Sequence, residues 1–477
     1  MKVLFLASEA APLVQVGGLA DVAGVLPKAL RAAGIDVRLA LPFHAVMARG
    51  SLAPHRVGEV VVQHISGPQE AEIFTAELSG LPVTLVDGEP VRAVPTVYGA
   101  ALESGRKYAF FSLAAMEACR ALGWRPDVLH ANDWHSASAV VWLKRYRHLD
   151  AFWQGVPSLL TIHNLAYMGA GAEDAMLEYH LPPSEDPLLP AWARGLPLPM
   201  GLAAADWLST VSPSYAEEIL TPQYGFGLEG FLGLRAERLA GILNGLDEEA
   251  WDPSTDAALP ARYSSDTLDL RAENKRRLQV EVGLPANPTW PLLAMISRLD
   301  QQKGVDLALE TLESALDDPW QFVLLGTGDP EIEQRALRFA ERHADRVKLV
   351  PRFDAPLARR LYAGSDMVLI PSRYEPCGLT QMIAMRYGSV PLARATGGLR
   401  DTVRERARGK GNGVVFARAH VDDLKQALRR AFALFSDADR WRTLQRQGMS
   451  QDFSWRRSVG QYRRLYQRLV REGPRPA

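Results

Sequence analysis

Residues 2–42 read KVLFLASEAAPLVQVGGLADVAGVLPKALRAAGIDVRLALP. An apolar run at Lys2–Ser8 predicts a buried strand, and a second apolar run at Asp36–Pro42 predicts another. Between them, a loop at Glu9–Gly18 leads into a helical pattern at Leu19–Ala33. Strand, helix and strand in this order form a βαβ unit, in which the two strands lie parallel in one sheet.

The same alternation continues along the first half of the chain. Short apolar runs, each followed by a polar or glycine-containing loop, predict further strands at Asp127–His130, Val156–Ile162, Trp207–Val211 and Leu239–Leu243. Ser212 and Pro213 are typical of a helix start, with serine as the N-cap and proline as the first helical residue. Val57–Ala100 differs, because short alternating runs separated by Gly and Pro predict a hairpin-like insertion.

A second α/β series begins near Pro291. The acidic, proline-containing segment Glu248–Asp269 interrupts the earlier pattern and marks the boundary. The second series predicts strands at Pro291–Ile296, Gln321–Leu325, Val347–Val350, Met367–Ile370 and Val390–Ala393, with helices between them. Each half of the chain is therefore predicted to form a doubly wound α/β sheet.

The predicted domains are residues 1–246 and 247–454. The last helix, Trp455–Arg471, is amphipathic and strongly basic, and we expect residues 455–477 to cross back to the first domain. Two such domains facing each other would bind a ligand in the cleft between their strand ends, with a hinge near Gly245.

The composition excludes several classes of protein. The 477 residues are 47% hydrophobic and 23% charged, which is typical of a folded protein of two or three domains. A net charge of −1 argues against a broad surface for nucleic acid or anionic membrane. Cys119 and Cys377 are the only cysteines and lie far apart in the sequence, so the chain has neither a disulfide framework nor a Cys-x-x-Cys metal or redox pair. The first apolar run is too short for a signal peptide, and no run reaches the roughly 20 apolar residues of a membrane span. We expect a cytoplasmic protein.

Two stretches look like the grip of an enzyme on a sugar nucleotide. Ser297-Arg-Leu-Asp-Gln-Gln-Lys-Gly304 follows one predicted strand and offers two cations, Arg298 and Lys303, to adjacent phosphates. Pro371-Ser-Arg-Tyr-Glu-Pro-Cys-Gly-Leu-Thr-Gln381 follows another and offers Glu375, which can accept hydrogen bonds from sugar hydroxyls. Gly378, Leu379 and Thr380 then stand at a helix start, where amide donors and the helix dipole favour an anion. Both loops lie at carboxyl ends of strands, where open α/β sheets bind ligands.

Several other polar or glycine positions have both a structural and a functional interpretation. The pair Gly17-Gly18 either forms a tight turn or allows a ligand to approach the backbone. Asp21 either complements the helix dipole or contacts substrate. Gly326 either makes a strand-to-helix turn or lies near a nucleotide, and Thr396 begins a Thr-Gly-Gly segment whose amides could reach a phosphate. Cys377 is either a buried packing residue or a thiol activated by its helix start.

Histidines and carboxylates raise the question of a metal. His130, Asn132, Asp133 and His135 cluster after one strand, and His163 with Asn164 follows the next. The spacing lacks a helical ligand pair, so the sequence favours a polar sheet edge over a zinc site, with His163 the best placed for catalysis. Asp437-Ala-Asp439 matches the D-x-D that some glycosyltransferases use for a metal, but it falls between two surface helices and favours a helix start.

The chain resembles the bacterial glycogen synthases and plant starch synthases, which are retaining glucosyltransferases of the GT-B architecture. The resemblance extends nearly from end to end and is carried by the segments Gly17-Gly-Leu-Ala-Asp21, His130-Ala-Asn-Asp-Trp-His135, Thr161-Ile-His-Asn-Leu-Ala-Tyr167, Leu243-Asn-Gly-Leu-Asp247, Ser297–Gly304, Gly326–Pro330, Glu375–Gln381, Thr396-Gly-Gly398 and Phe453-Ser-Trp455. The fold that it implies is two Rossmann-like doubly wound parallel-sheet domains facing across a deep cleft. The implied activity is transfer of glucose from ADP-glucose to the nonreducing 4-hydroxyl of an α-1,4-glucan, with no metal or other cofactor.

The resemblance also implies roles for individual residues. Arg298 and Lys303 would neutralise the diphosphate leaving group, Glu375 would hold the hydroxyls of the donor glucose, and His163 would lie against the reacting sugar. The remaining donor-side positions are Gln15, Gly17, Gly18, Asp21, Asn244, Gly326, Cys377, Gly378, Leu379, Thr380 and Thr396. The positions on the acceptor side are Asp133, Asn164 and Tyr98.

One departure concerns the donor. The family usually carries Lys-x-Gly-Gly-Leu at the first loop, where this chain has Gln15-Val-Gly-Gly-Leu19. The cation expected near the phosphate of the sugar nucleotide is therefore replaced by glutamine, which can donate a hydrogen bond but carries no charge. A related transferase that uses UDP-glucose or another donor, or a glucan-binding protein with little catalysis, is therefore kept as an alternative. Arg298, Lys303, His163 and Glu375 argue against pure binding, which would not require a phosphate grip.

Overall fold

A computed structural model describes residues 1–47, 52–405 and 411–475. The strands are β1 (Lys2–Leu6), β2 (Asp36–Pro42), β3 (His55–Val62), β4 (Gln69–Leu78), β5 (Leu81–Asp87), β6 (Val128–Asn132), β7 (Ser158–Ile162), β8 (Trp207–Thr210), β9 (Leu239–Gly241), β10 (Leu292–Ile296), β11 (Gln321–Leu325), β12 (Val347–Val350), β13 (Met367–Ile370), β14 (Val390–Arg394) and β15 (Val414–Phe416).

The helices are α1 (Gly18–Ala32), α2 (Glu89–Arg92), α3 (Ala101–Ala121), α4 (Ala137–Tyr146), α5 (Glu173–Glu178), α6 (Pro197–Ala204), α7 (Pro213–Glu218), α8 (Glu229–Gly233), α9 (Arg271–Glu281), α10 (Val305–Glu313), α11 (Pro330–Arg342), α12 (Ala355–Gly364), α13 (Thr380–Arg386), α14 (Gly397–Thr402), α15 (Val421–Phe435), α16 (Ala438–Met449) and α17 (Trp455–Glu472). The chain divides into two compact units. One comprises Met1–Gly245 and the segment that begins at Trp455, and the other comprises Leu246–Ser454.

The described part of the first unit forms a sheet of nine strands in the order β3-β4-β5-β2-β1-β6-β7-β8-β9. All neighbours are parallel except in the meander of β3, β4 and β5, whose two pairings are antiparallel. That meander is the hairpin-like segment predicted for Val57–Ala100. It is continuous with the main sheet, because β5 pairs in parallel with β2.

The C-terminal helix contributes to the core of the first unit. Trp455, Tyr462 and Tyr466 of α17 are almost fully buried among side chains of β1, β2 and α1. The opposite face of α17 carries exposed arginines, so the amphipathic pattern of the sequence matches the burial. The prediction that the last helix crosses back to the first domain is confirmed.

The described strands of the second unit form a six-stranded parallel sheet in the order β12-β11-β10-β13-β14-β15. Strand β15 was not predicted from the sequence, because its three residues give too short an apolar run. Helices cover both faces of the sheet, as buried parallel strands require. In each sheet the strand order reverses beside the first strand of that unit, between β1 and β6 in one and between β10 and β13 in the other. These switch points are where doubly wound sheets bind ligands.

Candidate active site

The two loops predicted to hold a sugar nucleotide flank the switch point of the second sheet. The loop after β10 carries Lys303, and the loop after β13 carries Glu375. The Nζ atom of Lys303 lies 2.9 Å from Oε1 and 2.7 Å from Oε2 of Glu375. A cation of one predicted stretch is therefore joined directly to the carboxylate of the other.

The carboxylate of Glu375 has a second donor. The Oγ atom of Ser372 donates a hydrogen bond to Glu375 Oε2 at 2.9 Å. The side chain of Glu375 is only 8% exposed, and that of Lys303 is 21% exposed. Two donors from two loops thus fix the orientation of a nearly buried carboxylate, which favours a binding role over a free nucleophile.

Arg298, the other cation of the first loop, is the more accessible of the two. Its guanidinium Nη2 lies 3.4 Å from a carboxylate oxygen of Asp300 and 3.4 Å from the side-chain oxygen of Gln302. The Arg298 side chain is 53% exposed. Asp300 also accepts a hydrogen bond from the backbone amide of Lys303 at 2.9 Å, so one carboxylate orders both cationic residues. The loop therefore holds a half-exposed guanidinium, a group that can bind an anion through charge-assisted hydrogen bonds.

Glycines allow the loops to lie close together. Gly326 has a φ of +152°, and a Cβ at this position would lie 1.8 Å from the carbonyl oxygen of Ser297. Gly304 has a φ of +69°, and its Cβ would lie 2.3 Å from the carbonyl oxygen of Pro371. Any side chain would be both strained and in collision at either position. The structure thus gives Gly326 a packing role, and its contact with a nucleotide remains a prediction.

The segment after Glu375 leads into helix α13 as expected. Gly378 has a φ of +74°, Leu379 is the N-cap residue, and Thr380 is the first helical residue. Cys377 is only 5% exposed, so the structure supports its interpretation as a packing residue. Contact between a phosphate and the backbone amides of Gly378, Leu379 and Thr380 remains a prediction.

The Thr396 segment packs directly behind the carboxylate loop. The amide of Gly398 donates to the carbonyl oxygen of Glu375 at 3.1 Å. Gly397 has a φ of +45°, and a Cβ there would lie 2.0 Å from the same oxygen. Thr396 itself is fully buried. This segment therefore supports the backbone at Glu375 from behind.

Asp133 and His163 meet at the sheet edge of the first unit. A carboxylate oxygen of Asp133 accepts a hydrogen bond from the backbone amide of His163 at 2.7 Å. Burial raises the pKa of Asp133 to about 7, against the opposing effect of the amide hydrogen bonds. Asp133 has a φ of +54°, a conformation that a residue with a Cβ adopts only under strain, and such strain concentrates at functional sites.

The protonation state of His163 follows from its neighbour. Nε2 of His163 lies 2.8 Å from Oδ1 of Asn132, while Nδ2 of Asn132 donates to the carbonyl oxygen of Leu6 at 2.8 Å. Because the amide oxygen can only accept, Nε2 must carry the proton. Burial lowers the pKa of His163 to about 3. The ring is therefore neutral near pH 7, with the lone pair on Nδ1.

The glycine loop after β1 is organised by Glu9, which the sequence did not single out. Its carboxylate accepts hydrogen bonds from the amides of Val16 at 2.5 Å and Gly17 at 3.1 Å. The hydroxyl of Tyr98 also donates to Glu9, at 3.1 Å. Burial raises the pKa of Glu9. Tyr98 is thus brought to the glycine loop from a distant part of the sequence.

Gln15, the residue that departs from the family pattern, is paired with Asp21. Its Nε2 lies 3.2 Å from each carboxylate oxygen of Asp21, which stands in the first turn of α1. Gly17 is the N-cap residue of α1 and Gly18 is its first residue, and both are exposed. Ligand contacts of these four residues remain predictions.

The two asparagines of the predicted site differ in their surroundings. The side-chain oxygen of Asn164 accepts from the amide of Ala166 at 3.2 Å and stabilises the turn after β7. The side-chain oxygen of Asn244 is buried and, among the described residues, has no hydrogen-bond partner. A buried acceptor without a partner is costly, so the geometry is compatible with a ligand contact at Asn244, which remains a prediction.

The other histidines of the predicted cluster have structural surroundings. His130 is fully buried and bonds to the hydroxyls of Tyr466 and Thr161, both at 2.7 Å. His135 is buried against the rings of Trp134 and Tyr108, and burial lowers its pKa to about 3. Within the part of the chain that the structure describes, no group of three or more His, Cys, Asp or Glu side chains is arranged to hold a metal ion.

The D-x-D segment forms a helix start, as the sequence favoured. Asp437 is the N-cap of α16, and its side chain accepts from the amide of Arg440 at 3.2 Å.

Further residues at the sheet edges were missed by sequence reasoning. Phe353, on the loop after β12, is 84% exposed, which is unusual for an aromatic side chain. The sequence did carry a signal for it, since a single aromatic residue follows a predicted strand in a polar loop. Glu9 and Ser372 gave no such signal, because their partners are known only from the fold.

Across the described residues, no helix is both long and apolar enough to span a bilayer.

Comparisons with known proteins identify the family of the chain. The family model described as "Starch synthase catalytic domain" matches residues 2–233, and the model "Glycosyl transferases group 1" matches residues 281–447. The chain is 39% identical to a protein named glycogen synthase 2 from Geobacter sulfurreducens, over 98% of each chain. It is 38% identical to the glycogen synthase of Syntrophotalea carbinolica, over 98% of this chain and 99% of that one.

Solved structures give the same result. The catalytic domain of starch synthase IV from Arabidopsis thaliana, bound to ADP and acarbose, superposes with a TM-score of 0.90 at 33% identity, covering 98% of this chain and 99% of that one. Sucrose-phosphate synthase from Thermosynechococcus elongatus has a TM-score of 0.63 at 20% identity over 99% of each chain, and shares the fold. The two α/β units with mostly parallel sheets are those of the GT-B architecture, and the chain belongs to the glycogen synthase and starch synthase family of glycosyltransferases.

Proposed function

We propose that this glycosyltransferase transfers glucose from ADP-glucose to the nonreducing 4-hydroxyl of an α-1,4-glucan, with retention of the anomeric configuration. The observation that supports the proposal is the contact between Lys303 and Glu375. In this proposal the Lys303 ammonium binds the phosphate, and the neighbouring Glu375 carboxylate binds the sugar hydroxyls. The names of the relatives, and the ADP and acarbose bound to the Arabidopsis protein, support the same substrates.

The mechanism that we propose is a front-face substitution. The bond between the anomeric carbon and the phosphate oxygen breaks, and a bond forms to the acceptor 4-oxygen on the same face. The departing phosphate oxygen takes the acceptor proton. Arg298 and Lys303 stabilise the negative charge that develops on the diphosphate, which is the electrostatic term that most lowers such barriers. No metal or other cofactor is part of this proposal.

Glu375 is proposed to bind the donor glucose, not to attack it. A double displacement needs a carboxylate free to form a bond to the anomeric carbon. Both carboxylate oxygens of Glu375 are near the Lys303 ammonium, and one also accepts from Ser372. These donors lower the nucleophilicity of the carboxylate while leaving lone pairs for sugar hydroxyls.

In the first unit, His163 is proposed to lie against the reacting sugar as a neutral acceptor. Asn132 occupies its Nε2–H, so Nδ1 and the backbone carbonyl are the groups that a hydroxyl can approach. Asp133, Asn164 and Tyr98 are proposed to serve the acceptor. Gly17, Gly18, Asp21 and Asn244 are proposed to serve the donor.

Phe353 is proposed to stack on the nucleotide base. It follows the carboxyl end of β12, on the same sheet edge as the loop after β10 (Ser297–Gly304), and its side chain is 84% exposed. Base stacking on an aromatic side chain contributes about 1–3 kcal/mol per base and does not select strongly among bases.

Gln15 supports a second candidate, a related transferase with a different donor such as UDP-glucose. Because Gln15 donates to Asp21 and carries no charge, the glycine loop lacks the cation that the family usually places there. A weakly catalytic glucan-binding protein is a further alternative. A cytoplasmic location remains a prediction from the sequence.

The test is release of nucleoside diphosphate and incorporation of glucose into glycogen by purified protein, with ADP-glucose, UDP-glucose and GDP-glucose compared. We expect the highest kcat/KM with ADP-glucose, together with a strong loss in Lys303→Ala. Preference for another donor supports the second candidate. Binding of glycogen without turnover of any donor contradicts the transferase function.

A further inference from the structure

We propose that Arg373 is a positioning residue. It holds the phosphate loop (Ser297–Gly304) and the sugar-binding loop (Pro371–Gln381) at the spacing that the transfer reaction requires. The inference rests on the proposed function for the identity of the reaction. Arg373 belongs to the sugar-binding loop, between Ser372 and Glu375 in the sequence, but its side chain is directed to the other loop.

The guanidinium of Arg373 spans the end of the phosphate loop. Nη1 donates to Oδ1 of Asp306 at 2.8 Å and Nη2 donates to Oδ2 at 2.7 Å. Nη1 also donates to the carbonyl oxygen of Gln301 at 2.7 Å. One planar group thus binds both a side chain in the first turn of α10 and the backbone of the preceding loop. A bidentate pair of this kind fixes direction as well as distance.

The backbone of Arg373 strengthens the same connection. Its amide donates to the carbonyl oxygen of Gln302 at 2.8 Å. The side-chain amide of Gln302 in turn donates to the carbonyl oxygen of Tyr374 at 3.3 Å, and its oxygen lies 3.4 Å from Nη2 of Arg298. Together, the contacts of Arg373 with Gln301, Gln302 and Asp306 form a junction between the two loops. Through Gln302, the position of the Arg298 guanidinium depends on this junction.

The junction determines the geometry of the pair of residues that carries the proposed chemistry. Lys303 belongs to the loop after β10 and Glu375 to the loop after β13, and each lies within a few residues of Arg373 or of its partners in the sequence. The hydrogen bond to Asp306 raises the pKa of Arg373, and against the opposing effect of burial the same bond lowers the pKa of Asp306, so both partners are charged near pH 7. A displacement of about 1 Å between reacting groups can reduce a rate roughly 100-fold, so loosening the junction should lower turnover more than binding.

Arg360 provides a matched control. It makes a bidentate pair with Glu281 at 2.8 and 2.6 Å, joining α12 to α9 in the same unit. The Arg360 side chain is 22% exposed, and that of Arg373 is 39% exposed. Loss of either pair removes one ion pair between two elements, but the Arg360 pair lies between two helices and, among the described residues, does not contact either loop.

The experiment compares the parent protein with Arg373→Ala, Asp306→Ala, the double variant and Arg360→Ala, using the preferred sugar nucleotide and glycogen. For Arg373→Ala we expect kcat to fall roughly 20-fold or more and KM for the donor to rise no more than about fivefold. Asp306→Ala should lower kcat similarly, and the double variant should fall no further than Arg373→Ala, because both changes remove the same connection. Arg360→Ala should keep kcat within about twofold of the parent.

Three kinetic results overturn the proposal. The first is a kcat for Arg373→Ala within about threefold of the parent, and the second is a loss of kcat that Arg360→Ala reproduces. The third is multiplication of the two single effects in the double variant, which would mean that Arg373 acts on the reactants independently of Asp306.

A separate measurement keeps this test distinct from that of the proposed function. If the parent turned over no donor, the transferase function would fail, and titration with ADP would decide the positioning role. Arg373→Ala should then weaken ADP binding roughly fivefold while Arg360→Ala leaves it unchanged, because the diphosphate requires groups from both loops. Equal affinities in all three proteins overturn the proposal.

Discussion

The ammonium of Lys303 contacts both carboxylate oxygens of Glu375, at 2.9 and 2.7 Å, although the two residues lie 72 positions apart in the sequence. Each side chain is the counterion of the other, and little of either side chain is exposed. The pair therefore has two functions in this interpretation: it neutralises a nearly buried carboxylate, and it holds a cation where the leaving group is proposed to bind.

Replacement of Lys303 should remove most of the catalytic activity. In Lys303→Ala the diphosphate loses a charged donor, and Glu375 loses its counterion, so we expect kcat to fall roughly 100-fold or more. Lys303→Arg keeps the charge but changes its shape, and it should fall between the parent and Lys303→Ala. The measurement is initial-rate incorporation of glucose. A turnover number for Lys303→Ala close to that of the parent would sink the proposed charge stabilisation.

Asp133 should make the stability of the first unit depend on pH. Its pKa is raised from 3.8 to about 7, so the folded state holds the proton more tightly than the unfolded state does. The stabilising contribution of the protonated carboxyl is complete below about pH 4 and is lost as the pH rises through about 7. The Asp133→Asn side chain cannot ionise, and its oxygen can still accept the hydrogen bond from the amide of His163.

Scanning calorimetry at several pH values tests this prediction. Relative to the parent, the Tm of Asp133→Asn should be higher at pH 8 than at pH 5 by about 5 °C or more. Asp345→Asn serves as a control, because that carboxylate is 70% exposed. A Tm difference between Asp133→Asn and the parent that stays constant from pH 5 to pH 8 contradicts the expected titration.

Gly326 should not tolerate a side chain. A Cβ there would lie 1.8 Å from the carbonyl oxygen of Ser297 at a φ of +152°, so Gly326→Ala must shift the phosphate loop. We expect a destabilisation of at least about 3 kcal/mol for the second unit, together with loss of activity. Gly230→Ala in α8 is the control, because its Cβ meets no atom within 4 Å and should be neutral or stabilising. Equal urea midpoints for the two variants would show that the loop can yield.

Much of the fold could be predicted because parallel strands buried on both faces give continuous apolar runs. The predicted bounds of β2, β11, β12 and β13 agree with the structure, and the loops that follow β10 and β13 meet as expected. The prediction failed at β15, where three residues between loops carry too little pattern to be recognised.

The candidate site was only partly predictable, for a different reason. Residue types at strand ends indicated Lys303 and Glu375 as members of one site. The role of Glu9 depends on amides brought to it by the chain turn and on the hydroxyl of Tyr98, 89 residues away. Such contacts have no local sequence pattern, because they are set by which loops the sheet order makes neighbours. The protonated nitrogen of His163 likewise follows only from the orientation of Asn132.

Gln15 is the residue at which a single substitution should improve the enzyme. Its amide donates to both oxygens of Asp21 at 3.2 Å, and it is exposed beside the glycine loop. An ammonium in its place could keep one bond to Asp21 and direct its other donors toward the donor phosphate. Because a hydrogen bond to a charged group contributes about 1.5–3 kcal/mol, we expect Gln15→Lys to raise kcat/KM for ADP-glucose roughly tenfold.

The control for this last change is Gln15→Met, which removes the bond to Asp21 without adding charge and should not raise kcat/KM. Both variants are compared with ADP-glucose and UDP-glucose, because the alternative function predicts a different donor. A gain for both donors in Gln15→Lys means that the new charge acts on the shared diphosphate. A loss for the parent's preferred donor would instead mean that the glycine loop is adapted to an uncharged residue, and the donor would then have to be bound differently from the way proposed.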